Sequence, residues 1–254
     1  MARGKRGQVA IFVILALILV ASIILFFTIE RKVTTSVQEG FNAGAYIQQC
    51  AREYVDEAVE LMLPQGGFIE PTNFRTYNKI HVAYLCENEG SYKGCVNQHP
   101  EFLSEMSREI ENYAEPRIGR CFDNMKSEIE KRRGEVSYGA MDVNVSLAPD
   151  RVILEIEKST TITIQESTQT INNYKVEVLS PLRELGRIAN EIASQEARGQ
   201  NCYFEYVGHN ILYPKYKITP FMMSDGTAIY TIKDKRSGKE LNIAIRSCAG
   251  PAGF

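Results

Sequence analysis

The sequence predicts an α+β protein in which a long N-terminal helix, first transmembrane and then amphipathic, precedes a disulfide-linked ectodomain of antiparallel β-sheet and helices. Three observations support this fold class. The 254-residue chain begins with a long apolar run, and all six cysteines follow that run. From Ser137 onward, apolar residues alternate with polar ones over several segments, which is the period of a β-strand.

The apolar run is the first predicted element. Val9 through Phe27 is apolar except for Ser22, and a helix of about 20 apolar residues can cross the hydrocarbon core of a bilayer. We therefore expect a transmembrane helix at 8–28 behind a cytoplasmic basic leader at 1–7, with the membrane as a partner.

The charges beside this run predict its orientation. Arg3, Lys5 and Arg6 precede it, and short flanks rich in Lys and Arg stay in the cytoplasm. Arg31 and Lys32 on the other flank oppose this orientation only in part. The predicted location is the cell membrane, single-pass, with the N-terminus cytoplasmic and the C-terminal domain extracellular or in an extracellular filament.

Cysteine usage agrees with an extracellular domain. An even count on the outer side indicates three disulfides, although six reduced cysteines in a cytosolic core are the alternative. Six cysteines allow fifteen pairings. We expect Cys86–Cys95, which brackets a turn-rich loop, and Cys202–Cys248, which flanks the C-terminal block. The remaining pair, Cys50–Cys121, would join the first helix to the second.

The apolar run is followed by a helical pattern that predicts an amphipathic extension at 29–64. Apolar residues recur there at three- and four-residue steps, and Pro64 with the following glycines ends the pattern. Two interpretations stay open. One is a single helix from about Gln8 to Leu63, roughly 80 Å long. The other is an anchor and a separate helix, with a break near Gly40 or Gly44.

The rest of the chain divides into two predicted regions. Region 65–136 combines irregular strands, a hairpin loop between Cys86 and Cys95, and a helix from Glu101 to Arg133 that Pro116 should kink or split. Region 137–254 begins with an antiparallel meander of about four strands, followed by an amphipathic helix behind Ser180 as its N-cap. Its C-terminal β region contains the strand candidates 203–207, 213–219, 227–233 and 240–245.

The sequence contains no motif that predicts catalysis, so we do not expect an enzyme or a cofactor. A zinc site built from Cys86, Cys95, His99 and Cys121 is disfavoured, because structural zinc ligands come in pairs two to four residues apart. The net charge is −2, so nucleic acid is not an expected partner. Asn144-Val145-Ser146 is a glycosylation sequon at an outward-facing strand position, which makes Asn144 a predicted glycosylation site.

The N-terminus carries a resemblance to a known family. Lys5-Arg6-Gly7-Gln8-Val9, followed directly by the apolar run, resembles the class III signal of archaeal type IV pilins and archaellins. The resemblance covers about residues 3–28 and the general layout of the chain. It implies that a prepilin peptidase cuts between Gly7 and Gln8. Many pilins have Glu five residues into the mature chain, and this chain has Phe12 there.

Two functions follow as expectations. The resemblance implies a type IV pilin-like structural subunit of the cell envelope, either a filament subunit or a minor pilin, which would contact copies of itself through residues 8–64. The alternative is a single-pass membrane-anchored extracellular binding or adhesion domain that does not form filaments. The first function predicts a processed N-terminus and high-mass assemblies, whereas the second predicts neither.

Overall fold

A computed structural model of the chain describes residues 18–20, 41–198 and 202–249. Residues 18–20 are helical. The residues from Ala43 onward belong to one compact unit, which includes the predicted regions 65–136 and 137–254. We call this unit the head.

The head contains four α-helices and ten strands among its described residues. The helices are α1 (Ala43–Met62), α2 (Phe102–Lys131), α3 (Leu182–Arg198) and α4 (Tyr206–Leu212). The strands are β1 (Phe74–Tyr77), β2 (Ile80–Asn88), β3 (Cys95–Asn97), β4 (Gly134–Tyr138), β5 (Asp142–Ala148), β6 (Arg151–Ile164), β7 (Ser167–Leu179), β8 (Tyr216–Met222), β9 (Ala228–Asp234) and β10 (Glu240–Arg246).

The N-terminal part of the predicted fold class needs correction. The fold is α+β with disulfides and antiparallel sheets, but no helix within the described residues is both long and apolar enough to cross a membrane. Helix α1 has 20 residues, yet it carries Arg52, Glu53 and other charged side chains along its exposed side. The leader 1–7 and the range 8–28, apart from 18–20, lie outside the described residues.

Helix α1 confirms the predicted amphipathic stripe and corrects its start. Ile47, Ala51 and Val55 are fully buried on one side of the helix. Phe41 and Asn42, just before it, are not helical, so an unbroken helix through to Leu63 is wrong. These two residues lie between Gly40 and Gly44, the two positions at which the other interpretation expected a break. A short 3₁₀ turn, Leu63–Gln65, follows the helix.

The four-stranded antiparallel sheet is organised around β6. Strand β7 pairs along the full length of β6, while β5 and β4 pair with its two halves in succession on the opposite edge. The inner face of this sheet packs against α1 and α2, where the rings of Phe122 and Tyr174 meet edge to face with centroids 5.4 Å apart. The antiparallel pairing predicted from the alternating pattern is confirmed for the consecutive strands β5, β6 and β7. Strand β4 pairs with β6 instead of β5, so the expected meander of all four strands is wrong.

Helices cover both edges of this sheet, which would otherwise present unpaired backbone groups. On the β7 edge, Gln48 and Arg52 of α1 donate to the carbonyl oxygens of Lys175 and Glu177 at 3.2 and 2.7 Å. On the β5 edge, the backbone N–H of Val145 donates to Glu111 Oε1 of α2 at 2.8 Å. The two helices therefore terminate the sheet as well as filling its core.

Helix α2 differs from its prediction at Pro116. It continues through this residue as one helix of 30 residues, so the expected split is wrong. Pro116 is exposed, and the buried residues Ala114 and Ile118 on either side of it keep the apolar stripe facing inward. The packing of that stripe holds the helix together where the proline removes one backbone hydrogen bond.

The second sheet has six strands in the order β1-β2-β10-β9-β8, with β3 also pairing with β2. Its central pair, β2 and β10, is parallel, which corrects the expectation of antiparallel pairing throughout. Helix α3 packs against β2, β3, β9 and β10. Ser180 Oγ accepts from the N–H of Leu182 at 3.2 Å, so the predicted N-cap is confirmed.

The C-terminal block contains three of its four predicted strands, as β8, β9 and β10. The predicted strand 203–207 is wrong, because the chain there is irregular and then enters α4. The Glu205 carboxylate accepts from the N–H groups of Val207 and Gly208, both at 3.2 Å. This capping satisfies the first donors of a helix, and it favours a helical conformation at Tyr206 despite the strand propensity of its side chain.

Candidate functional site

The predicted processing residues, Gly7 and Gln8, lie outside the described residues. The expectation of cleavage between them therefore stays a prediction.

The presence of disulfides is confirmed, and the cysteines of the structure are joined in the three expected pairs. Cys50–Cys121 joins α1 to α2 with the Cα atoms 6.2 Å apart. Cys86–Cys95 joins the adjacent strands β2 and β3 at 5.4 Å, and Cys202–Cys248 joins the segment before α4 to the end of β10 at 5.7 Å. The three bonds thus tie α1 to α2, β2 to β3, and the segment before α4 to the end of β10.

The zinc set considered from the sequence cannot form in this structure. Cys86, Cys95 and Cys121 are all bonded in disulfides. His99 Nδ1 lies 2.5 Å from Glu105 Oε2. Within the described residues there is no group of three or more His, Cys, Asp or Glu side chains that could hold a metal ion.

Asn144 lies on the outer face of the four-stranded sheet. Both Asn144 and Ser146 are exposed on β5, and Asn144 is directly opposite Glu155 of β6. Buried Val145 between them faces the core. The sequon is therefore accessible at both residues that matter for modification, and glycosylation of Asn144 stays a prediction.

A pocket of about 280 Å³ lies beside the Cys202–Cys248 disulfide. It lies between the C-terminal end of α3, the segment before α4, and strands β8 to β10. We call it the tyrosine pocket. Its lining residues are Glu196, Cys202, Tyr203, Tyr206, Pro220, Met222, Gly226, Ala228, Tyr230, Ile245 and Ser247.

Glu196 is the acidic group of the tyrosine pocket. Its side chain belongs to a residue that is only 3% exposed, and Tyr230 donates its hydroxyl hydrogen to Glu196 Oε1 at 2.7 Å. The N–H of Phe204 also bonds to this carboxyl. Burial raises the pKa of Glu196 above its ordinary value, and the two hydrogen bonds oppose that rise only in part.

Three tyrosines surround this carboxyl. Burial and the neighbouring Glu196 raise the pKa of Tyr230, so its hydroxyl stays protonated and acts as a donor. Tyr203 and Tyr206 stand edge to face with centroids 6.3 Å apart, and Tyr203 is 52% exposed at the mouth. Ser247 Oγ donates to the Glu196 carbonyl at 3.4 Å.

An exposed apolar surface adjoins the pocket, and we call it the apolar patch. It consists of large side chains on α4, on the flanking segments and on β8, each about half exposed or more. Its members are Tyr203, Val207, Ile211, Leu212, Tyr213, Phe221 and Met222. Helix α4 contributes no buried residue, although its Asn210 amide pairs with both backbone groups of Ile218 on β8, at 2.9 and 2.7 Å.

The sequence analysis found neither Glu196 nor the apolar patch. One signal for Glu196 was present: it occupies a helical stripe position four residues after Ile192, where the rest of the stripe is apolar and buried. A single carboxyl on such a stripe indicates a buried polar contact. The patch was missed in part because Tyr203 and Val207 fit the strand that was predicted at 203–207, and Tyr213 fits the strand that was predicted at 213–219.

Comparison of the chain with protein-family models, with curated proteins and with solved structures finds no match. The functional argument therefore depends on the residues of this chain alone.

Proposed function

We propose that the protein is a type IV pilin-like structural subunit of the cell envelope. The N-terminal signal and the apolar run motivate the proposal. The structural observation that carries it is the position of α1, which is the first element of the head and is fixed to it by a disulfide, by buried packing and by hydrogen bonds to a sheet edge.

This position suits a subunit whose N-terminal segment packs among copies of itself. Any force applied to the chain ahead of Ala43 enters the head through α1. The Cys50–Cys121 bond passes that force to α2, and the Arg52 contact to Glu177 passes it to the four-stranded sheet. A head joined through a loosely attached segment would lack both connections.

The disulfides support a location outside the cytoplasm. Cytoplasmic thiols are kept reduced in most organisms, whereas disulfides persist in secreted and surface-exposed proteins. All three pairs lie in the head. In this proposal the head faces outward, and prepilin peptidase is the processing partner on the inner side.

Two measurements on the native protein test the proposal: the residue at which the mature chain starts, and the sedimentation of the protein after shearing. We expect the mature chain to start at Gln8 and to pellet in high-mass filaments after shearing. Gly7→Val should block both the cleavage and the assembly into filaments, because it replaces the glycine that precedes the cleaved bond. Gly4→Val is the matched control within the leader and should change neither. A chain that starts at Met1 or Ala2 and stays monomeric would contradict the proposal.

A second candidate is an extracellular binding or adhesion domain that does not form filaments. The tyrosine pocket and the adjoining apolar patch favour it, since exposed contiguous apolar surface marks interaction sites. The same experiment separates the two functions, because this candidate requires neither cleavage at Gly7 nor assembly.

A further inference from the structure

We propose that the tyrosine pocket binds a primary alkylammonium group, such as the end of a lysine side chain or of a small aliphatic amine. The inference does not depend on filament formation or on processing at Gly7. It follows from three properties of the pocket: its charge, its aromatic lining and its size.

Ionised Glu196 gives the pocket a negative charge. Glu196 is its one ionisable acid, and among the described lining residues none is Lys, Arg or His. Glu196 also lies in the last turn of α3, which ends at Arg198. The C-terminal end of a helix carries a partial negative charge and favours cations. A cation in the pocket would therefore interact favourably with both the carboxylate and the helix end, whereas an anion would be repelled by both.

The aromatic lining suits an ammonium group rather than a metal ion. Tyrosine rings attract ammonium groups over their faces within about 6 Å, and Tyr203, Tyr206 and Tyr230 all line the pocket. A hard metal ion takes about six or more oxygen ligands, carboxylates prominent among them, and Glu196 is the single carboxylate among the described lining residues. The hydroxyl of Tyr230 is already donated to Glu196, so it adds no anionic oxygen.

The walls and the size suit the apolar stem of an amine. Pro220, Met222 and Ile245 provide apolar contact along the pocket, where methylene groups can be buried while the charged end reaches the acid. The volume of about 280 Å³ is at the lower end of the range of small-molecule sites, roughly 300–1,000 Å³. It therefore accommodates one side chain or one small molecule.

Proton binding at Glu196 should make this binding depend on pH. The Glu196 carboxyl is buried, and the described lining residues provide no cation beside it. Burial disfavours the ionised form, and a bound ammonium group would stabilise that form. Affinity should rise with pH as Glu196 ionises, and fall again only near the pKa of the amine, about 10.4 for lysine. The titratable or charged groups on the elements around Glu196 include Tyr230 on β9, Tyr203 and Glu205 before α4, Tyr206 and His209 on α4, and Arg246 on β10.

Of these groups, Arg246 and Glu205 have other hydrogen-bond partners. Arg246 donates to the Asn88 side chain at 2.6 Å, and Glu205 caps α4. The tyrosines stay neutral at pH values below their raised pKa. Burial lowers the pKa of His209 on α4, so a second group can contribute to the change in affinity between pH 4 and pH 8. The part of that change that Glu196→Gln removes should follow Glu196, whereas a contribution of His209 should stay in the variant.

Calorimetric titration of the full-length chain tests the proposal with matched probes. The first probe is Nα-acetyl-lysine amide, and the second is Nα-acetyl-norleucine amide, which keeps an apolar stem and lacks the amine. We expect the lysine probe to bind at least tenfold more tightly at pH 7.5. Glu196→Gln should remove that preference, and Glu191→Gln, an exposed acid on the same helix, should keep it.

A second variant, at an exposed position, keeps the test valid if Glu196→Gln fails to fold. Tyr203 is about half exposed, so Tyr203→Leu should fold and should weaken the lysine probe severalfold while leaving the norleucine probe unchanged. Cadaverine distinguishes the source: tighter binding of the lysine probe indicates a polypeptide ligand, and tighter binding of cadaverine indicates a free amine. Either order supports the ammonium site. Equal binding of the lysine and norleucine probes, or no binding of either, would overturn it.

Discussion

Arg52 donates a hydrogen bond from Nη1 to the carbonyl oxygen of Glu177 at 2.7 Å. The two residues are 125 positions apart in the chain, and their contact places the first helix of the head on an open edge of the four-stranded sheet. Gln48, one turn earlier, makes the same kind of contact to Lys175. Edge strands with free backbone groups are templates for pairing with other chains, so α1 protects this edge.

Removal of the Arg52 side chain tests this role. Arg52→Ala should lower the free energy of unfolding by about 0.5–1 kcal/mol, since the contact is one hydrogen bond at an exposed edge. Urea unfolding under non-reducing conditions would measure the change. The variant should also aggregate faster on partial unfolding, because the carbonyl groups of β7 become accessible.

Arg120→Ala provides the control for this experiment. Arg120 is an exposed arginine on α2, so its removal changes the charge equally without touching the sheet edge. If both variants lose the same stability and aggregate at the same rate, the edge contact has no protective effect.

The Cys50–Cys121 disulfide should stabilise the head more than the Cys86–Cys95 disulfide. The first closes a separation of 71 residues and the second a separation of 9. If a disulfide stabilises by lowering the entropy of the unfolded chain, these separations correspond to gains in the free energy of unfolding of about 4 and about 2.5 kcal/mol. Paired Cys→Ser variants and urea unfolding would measure both losses, with the second pair as the matched control. Equal losses would contradict a difference based on loop length.

The local parts of this fold were predictable from the sequence. The apolar stripe of α1 and the alternation in β4 to β7 each reflect one buried face. Such a face is recognised from the spacing of apolar residues within its own element, without knowledge of its partners. The disulfides followed from the same logic, because Cys86 and Cys95 bracket a loop and Cys202 and Cys248 flank a block. Once those pairs are chosen, Cys50 and Cys121 remain.

The non-local parts were not predictable. The parallel pairing of β2 with β10 joins strands from opposite ends of the head, and nothing in either strand specifies the partner or its direction. The contact of Glu196 with Tyr230 depends on how α3 lies on that sheet. The strand predicted at 203–207 failed because a single capping residue, Glu205, outweighs the β propensity of its neighbours.

Glycosylation of Asn144 is a further prediction. In protein from the native host, we expect the peptide that contains Asn144 to carry a glycan, because the residue is exposed on the outer face of β5. Ser146→Ala should abolish the modification, since it removes the hydroxyl that the sequon requires. Mass spectrometry of the peptide checks both. An unmodified Asn144 in the native protein would contradict the prediction, and Asn172, which lacks a sequon, serves as the negative control.

The buried carboxyl of Glu196 should make the stability of the head depend on pH in a defined direction. Its pKa in the folded protein is raised above the ordinary value of 4.5 by burial. Between those two values the folded state binds a proton that the unfolded state has released. Stability therefore falls as the pH rises through this window, and the loss is complete above the pKa of the folded state.

Glu196→Gln isolates this contribution. The amide oxygen can still accept the hydrogen bond from Tyr230, but the side chain no longer ionises. The free energy of unfolding of the variant, relative to the native chain, should therefore increase from pH 4 to pH 8. Urea unfolding at pH 4, 5, 6, 7 and 8 would measure it, with Glu191→Gln as the exposed control that shows no such trend. A difference between variant and native chain that stays constant over this range would mean that Glu196 titrates alike in both states, and that the pocket does not penalise its charge.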